Sequence, residues 1–322
     1  EYDKVEPAMR FVFLMDTLDR VSPDKDTTFA FIEAAQQAGH ESLHCLPTDL
    51  GVRKGKVFAM VRGVRTAPQE PRISLVGERR EIALDAVDAV FIRKDPPFDQ
   101  AYLYATLLLE NARGGPLIVN DPRGLRDANE KLYAMHFPKW TPATLVTADR
   151  DVIFTFVKEV GGNAVIKPLD GAGGTGVMML REGDKNNRAI VDMLTSEGQR
   201  VAMVQEFLPS VQKGDKRILL LAGEPLGAIM RIARGDDIRS NIHVGGRVEP
   251  CDITDAERAL IADIAPRLAA DGLYFVGLDV IGERLTEVNV TSPTGIQELG
   301  RFTSSKPADR VIAWVEAKRR AR

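Results

Sequence analysis

The sequence predicts an α/β half joined to an α+β half. Two observations carry this. In the first third, short apolar runs alternate with segments of helical period, the mark of a mostly parallel sheet with covered faces. From Val201 onward strand-like runs dominate, and a single long helix interrupts them.

The elements follow in order. An apolar run at 11–15 reads as a buried strand. Positions 27–38 have helical period, with Phe31, Ala34, Ala35 and Ala38 on one side and Gly39 as the stop. Strands at 42–46, 89–92 and 117–120 and a helix at 100–112 complete the first half. The stretch 50–80 is irregular and rich in basic residues, and reads as an insertion holding a small hairpin or loops. Asp121-Pro122-Arg123-Gly124 marks a boundary, followed by helices at 125–136 and 149–160. A strand at 164–167 enters a glycine-rich loop, and a second strand follows at 177–180. Further strands fall at 201–207, 217–221, 225–232, 275–281 and 285–290. The helix at 254–270 has Thr254 as N-cap and Gly272 as stop. The expected domains are 1–123, 124–204 and 205–322.

Composition narrows the class. With 322 residues, 44% hydrophobic and 28% charged, the chain reads as a soluble globular protein. A net charge of −3 gives no reason to expect nonspecific nucleic-acid binding, and no apolar run reaches the ~20 residues that span a bilayer. The chain also lacks a secretory pattern, so a cytoplasmic place and no membrane partner are expected. Cys45 and Cys251 are too few for a disulfide framework and read as structural. The basic tail 318–322 reads as a solvated helix end.

Chemistry concentrates in a few stretches. In Glu287-Val288-Asn289-Val290 strand alternation sends Glu287 and Asn289 to one face and the valines to the core. Paired hard oxygen ligands suit Mg²⁺. Asp279 joins them only if a three-residue turn or an equivalent bulge sets the register; a two-residue turn alone faces it away. Gly171-Ala172-Gly173-Gly174-Thr175-Gly176 lies between two strands, so no helix opens on it as a dinucleotide site requires. It is either an ordinary flexible turn or a hairpin whose amides close over phosphate, and Lys167 on the incoming strand favours the second. Lys131, taken alone, reads as a surface residue of a helix. Gln205-Glu206-Phe207-Leu208 ends a strand, where it is either a plain turn or an edge for a purine. Asp215 to Arg217 either serve the site or blunt a sheet edge. The segment 232–246 has the composition of a hinged lid or of a surface loop.

Taken together, the chain resembles the ATP-grasp ligases, and among them the bacterial type of glutathione synthetase. The likeness rests on Arg93-Lys94-Asp95-Pro96-Pro97-Phe98-Asp99, the stretch from Leu125 to Leu132, Lys167-Pro168-Leu169-Asp170-Gly171, the stretch from Gly277 to Gly282, and the stretch from Glu287 through Thr294. The resemblance implies an ATP-grasp fold behind a Rossmann-like N-terminal domain. It also implies roles: Lys131 and Lys167 on ATP phosphates, with Gly171, Ala172, Gly173 and Gly174 closing over them. Gln205, Glu206, Phe207 and Leu208 would line the adenine and ribose site. Asp279, Glu287 and Asn289 would hold Mg²⁺, for which Mn²⁺ substitutes. Arg93, Ser292 and Thr294 would hold the acid substrate. Arg217 and Arg239 would neutralise the phosphoryl group, with Asn241 on the lid.

The reaction implied is ATP-dependent joining of γ-glutamylcysteine and glycine through an acylphosphate, in a homo-oligomer, tetramer or dimer. The 50–80 stretch, Gly235 to Ile238, Gly295 and Gln297 depart from familiar members. Two other readings stand beside it: a sister ligase with another acceptor, and an ATP-binding regulator without catalysis.

Overall fold

In the computed structural model, which describes residues 8–233 and 247–322, three sheets surround a common cleft. The first half supplies β1 (Arg10–Leu14), α1 (Thr27–Gln37), β2 (Glu41–Cys45), β3 (Leu50–Arg53), β4 (Lys56–Thr66), β5 (Ile73–Ala83), β6 (Ala89–Ile92), α2 (Gln100–Glu110) and β7 (Leu117–Val119). Strands β2, β1, β6 and β7 lie parallel in that order. Both faces of β1 are covered, so residues 11–14 are buried without alternation, as parallel strands require. Phe11, Phe13 and Phe31 pack on Phe91 beneath α1.

The stretch 50–80 corrects the expectation of an irregular insertion. It forms β3, β4 and most of β5, a long antiparallel ribbon that extends the sheet beyond β2. Val57, Ala59 and Val61 point inward from β4, while Glu78, Arg79, Arg80 and Glu81 lie exposed on the outer β5. Charges on an outer strand are solvated and protect the edge from further pairing, which is why composition hides the strand.

The chain then enters α3 (Pro122–Asp127), shorter than the expected helix at 125–136. The Asn129 side chain accepts from the amides of Lys131 and Leu132, both at 3.1 Å, and so replaces helical acceptors there. Lys131 therefore sits in an irregular segment ahead of a 3₁₀ turn at Tyr133–His136, not on a helix.

The middle sheet is antiparallel, in the order β10-β9-β11-β8. Its elements are β8 (Thr144–Thr147), α4 (Arg150–Glu159), β9 (Asn163–Pro168), β10 (Met178–Arg181), α5 (Asn187–Leu194) and β11 (Ala202–Glu206). The sequence reading did not include β8 or α5; both are short, four and eight residues.

The last sheet has the order β14-β13-β12-β15-β16. It comprises β12 (Asp215–Leu221), β13 (Glu224–Ile232), β14 (Arg247–Cys251), β15 (Phe275–Ile281) and β16 (Arg284–Asn289). The helix α6 (Asp255–Ala270) begins in a capping box between Thr254 and Glu257. After β16 come α7 (Ile296–Phe302), missed in the sequence, and α8 (Pro307–Arg320), which ends in the basic residues read as a helix end. Among the described residues no helix is long and apolar enough to cross a membrane.

One side chain ties the first sheet to the last. Asn120, just past β7, donates to the carbonyls of Phe275 (2.9 Å) and Val290 (2.8 Å) and accepts from the amides of Tyr274 (2.7 Å) and Phe275 (2.8 Å). All of its hydrogen-bonding capacity is spent in a buried place. Asn120→Ala strands these backbone groups, so a loss on the order of 3 kcal/mol in unfolding free energy is expected. Urea titration of both proteins measures it, and an unchanged midpoint contradicts the role.

Candidate active site

The three sheets enclose a cleft of about 640 Å³. Its floor is the cleft-facing side of the last sheet. Register places Arg231 opposite Asp215, Arg217 opposite Asp279, and Asp279 opposite Glu287. Charges of alternating sign thus run across β13, β12 and β15, and β16 adds a further carboxylate.

The β15–β16 turn decides that row. Its two residues, Gly282 and Glu283, both have positive φ (53° and 69°), as a tight hairpin turn of this kind requires. Ile281 pairs with Arg284 and Val280 with Leu285, but Asp279 pairs with Glu287. Thr286 is the extra residue of a bulge, and its hydroxyl donates to the Asp279 carbonyl at 3.1 Å. The turn has two residues, and the bulge restores the face that a three-residue turn would have given. Asp279, Glu287 and Asn289 all line the cleft, while Val288 and Val290 are buried behind them.

Asp279 is held tightly. Arg217 binds it in a fork, Nε to Oδ1 at 2.5 Å and Nη2 to Oδ2 at 2.9 Å, and Arg231 reaches Oδ2 at 2.9 Å. Arg231 also bonds Asp215. Burial opposes charge on Asp279, but the Arg217 and Arg231 guanidiniums outweigh it and hold the carboxyl well below the usual carboxylate range. Burial pushes the Asp215 carboxyl up to about 6, against the pull of Arg231 and with Asp279 adding to the rise.

The two lysines come together above this floor. Lys131 Nζ donates to the Gly171 carbonyl at 2.5 Å and lies 3.5 Å from Glu287 Oε1. Lys167 is buried on β9, and burial lowers its pKa, with Lys131 adding to the effect and Glu287 opposing it. The β9–β10 hairpin carries the glycine loop between antiparallel strands. A side chain at Gly171 would place its Cβ 2.8 Å from both the Pro168 ring and the Thr175 carbonyl, so only glycine fits there. Gln205, Glu206, Phe207 and Leu208 line the cleft at the end of β11, where Gln205 donates to Thr144 Oγ1 at 2.9 Å.

At the far end, Arg93 is buried beside α1. It donates to Thr28 Oγ1 (3.2 Å) and to the Pro293 carbonyl (3.0 Å), and lies over the rings of Phe31 and Phe275. Burial lowers its pKa, opposed by Asp26 and Asp95. Ser292 and Thr294 reach the same region of the cleft, and the Thr294 carbonyl accepts from Arg217 at 3.2 Å. Arg239, Asn241 and the rest of 234–246 lie outside the described residues.

Several residues at the site escaped the sequence reading. Arg231 faces Asp215, itself already a candidate, across β12–β13, a pairing visible only once the hairpin register is known. Glu130 accepts three hydrogen bonds from Val290 and Thr291. Gln297, one of the departures from familiar members, donates to the carbonyls of Pro23 (2.5 Å) and Asp26 (3.0 Å), pinning the loop ahead of α1.

A glycine hairpin, two lysines and a carboxylate–amide pair meeting between an α/β domain and two antiparallel sheets define an ATP-grasp enzyme. Residues 130–304 match the ATP-grasp domain of prokaryotic glutathione synthetase, and residues 9–126 match the N-terminal domain of that family. The glutathione synthetase of a Synechocystis species is 44% identical over 96% of this chain and 99% of its own length. That of Mesorhizobium japonicum is 40% identical over 97% and 99%. Among solved structures, D-cycloserine synthetase DcsG superposes with a TM-score of 0.66 at 14% identity, covering 95% of this chain and 99% of its own. The ATP-grasp ligase PsnB, complexed with precursor peptide PsnA2 and AMPPNP, superposes with a TM-score of 0.60 at 17% identity, covering 97% and 98%. These two likenesses concern the fold. The chain belongs to the prokaryotic glutathione synthetase family and is an ATP-dependent ligase.

The ion row has a pH signature. Asp215 has a folded pKa above its ordinary 3.8, so its share of stability falls as pH rises from about 4 through about 6. Asp279 has a folded pKa below its ordinary value, so its share is present above that value and is lost as pH falls. In metal-free buffer, Asp215→Asn is expected to remove the decline between about pH 4 and 6. Asp279→Asn should flatten the acid loss and cost about 3–5 kcal/mol at neutral pH, since buried Arg217 loses its carboxylate partner and Arg231 keeps only Asp215. Urea midpoints between pH 3 and 7 measure both, and parallel profiles for all three proteins would contradict the assignment.

Proposed function

We propose that the enzyme joins γ-glutamylcysteine to glycine, with ATP converted to ADP and phosphate, and that the product is glutathione. The observation carrying this reading is the convergence of Arg93 and Lys167 on one cleft with the oxygen ligands of the last sheet, where Lys131 reaches the lining residues Gly171 and Glu287. Arg93, a buried cation hydrogen-bonded to a hydroxyl and a carbonyl, suits a substrate carboxylate. Ser292 and Thr294 flank that position.

A carboxylate resists attack because its leaving group would be oxide. Its oxygen first attacks the γ-phosphorus of ATP, the bond to ADP breaks, and an acylphosphate forms. The glycine amine then attacks the acyl carbon, phosphate leaves with the C–O bond electrons, and the nitrogen gives up its proton. Lys131, Lys167 and the amides of Gly171 to Gly174 hold the phosphates in line. Gln205, Glu206, Phe207 and Leu208 hold the adenine and ribose. Arg217 neutralises the oxygens between Asp279 and Thr294, a task Arg239 and Asn241 would share.

Asp279, Glu287 and Asn289 fit a hard cation: all three offer oxygen, and Asn289 turns its amide nitrogen to the Gly277 carbonyl at 3.2 Å, leaving its oxygen for a ligand. Mg²⁺ bound there, or Mn²⁺ in its place, supplies charge neutralisation at the phosphates.

The three sheets support units at 1–123, 124–204 and 205–322, with the end of β11 belonging to the middle one. We further propose a cytoplasmic homo-oligomer, dimer or tetramer, without nucleic-acid or membrane partners. Two free cysteines suit a reducing compartment.

Phosphate release with γ-glutamylcysteine and glycine, each omitted in turn, tests the reaction. Dependence on both is expected; turnover only with another acid or amine points to a sister ligase. Glu287→Gln should cut turnover at least 100-fold, by the scale of losing a charge-stabilising group, with an unchanged melting temperature. Near-normal turnover in saturating Mg²⁺ counts against its metal role.

A further inference from the structure

The segment after β16 carries the substrate turn, yet it leaves the sheet's ladder. β16 is the edge strand of its sheet, so its outward amides have no neighbouring strand. The irregular segment at 130–140 takes them instead: Leu285 N donates to the Trp140 carbonyl and Val288 N to the Glu130 carbonyl, both at 2.9 Å. Past the strand's end the Glu130 carboxylate takes over. Its Oε1 accepts from Val290 N (2.9 Å), Thr291 N (3.0 Å) and Thr291 Oγ1 (2.8 Å). Three donors on one ionised oxygen are charge-assisted and fix the backbone at the point where the metal strand becomes the substrate turn.

Glu130 is flanked by residues tied to the nucleotide side. Lys131 reaches Gly171 and Glu287, and Asn129 Nδ2 donates to the Leu169 carbonyl at 3.0 Å. Three consecutive residues therefore bind the glycine loop, the phosphate lysine and the strand of Glu287 and Asn289 into one unit.

We propose that Glu130 is the positioning residue of this ligase: it sets the segment from Val288 to Thr294, and with it the acid substrate, in register with the nucleotide held by Lys131. It touches the backbone that carries the reacting groups and acts through it. This rests on the functional reading above, since register matters only if acid and phosphate meet here. Misplacement of a reacting group by about 1 Å costs up to about 100-fold in rate while leaving binding of each ligand largely intact.

The test uses Glu130→Gln, which keeps an acceptor of the same size without its charge, Glu130→Ala, and Thr291→Val, which removes one donor. In Glu130→Gln, hydrogen exchange at the Val290 and Thr291 amides should rise about tenfold, the equivalent of 1.4 kcal/mol in local opening, with protection elsewhere unchanged. In the glycine-dependent assay kcat should fall about 10- to 100-fold, with KM for ATP within about threefold of wild type. Glu130→Ala should fall at least as far. The double variant Glu130→Gln with Thr291→Val should lose less than the product of the two single losses, because the two side chains share one bond. Unchanged exchange at these amides, or multiplicative losses in the cycle, overturns the proposal. So does a fall in melting temperature that accounts for the whole loss of turnover. If Glu130→Ala does not fold, the Gln and Val variants decide alone. Failure of the wild-type enzyme to release phosphate with both substrates removes the functional reading, while the exchange result still judges the pin.

Discussion

The buried ion row on the last sheet is the constraint on which the site depends. Arg217, Asp279, Arg231 and Asp215 sit on neighbouring strands and share one face only because each pairing register is right. Buried ion pairs seldom add stability over a well-packed apolar alternative, since taking charges from water costs several kcal/mol per ion. Their presence here has another logic. They hold in place the charges that the proposed reaction would use at the ATP phosphates, so that little reorganisation would accompany the chemistry.

The same economy governs the lysines. Lys131 rests between the Gly171 carbonyl and Glu287. In the proposed reaction a phosphate oxygen would exchange with these partners, so that no ammonium has to sit in an apolar pocket without an anion. Lys167, with Glu287 as the carboxylate that most supports its charge, is the group with most to gain from such an exchange. Arg93 follows a different course. The rings of Phe31 and Phe275 and two neutral acceptors hold it, a setting that keeps the guanidinium oriented and would leave its charge for the carboxylate of the proposed substrate.

Much of this was legible in the sequence because it rests on period and on local chemistry. The apolar runs of β1 and β6, the Thr254 cap and the Glu287–Asn289 alternation each need only a few residues to read. The β4–β5 ribbon was not, because its charges lie on an outer strand and mask the alternation within. Nor was the place of Lys131, because one Asn129 side chain ends a helix that period alone would continue. Asp279 shows the limit most clearly. The sequence allowed two faces for it, and a single bulge at Thr286, two residues from a two-residue turn, chose between them. Bulges have no dependable local signature, because they answer to the packing of both strands.

That bulge also explains why Glu130 matters to the strand rather than only to its own loop. An extra residue in β16 shifts everything after it by one position relative to a regular ladder, and the sheet offers no further strand to hold the shifted segment. The peptide groups of Val290 and Thr291 then depend on side chains. Asn120 takes the Val290 carbonyl from beneath, and Glu130 takes both amides from the cleft side. One anchor comes from the first sheet and the other from the segment bearing the phosphate lysine. In the proposed reaction the substrate turn is thus placed by contacts with the parts of the enzyme that would meet there, which would make the meeting of acid, nucleotide and metal ligands a property of the fold.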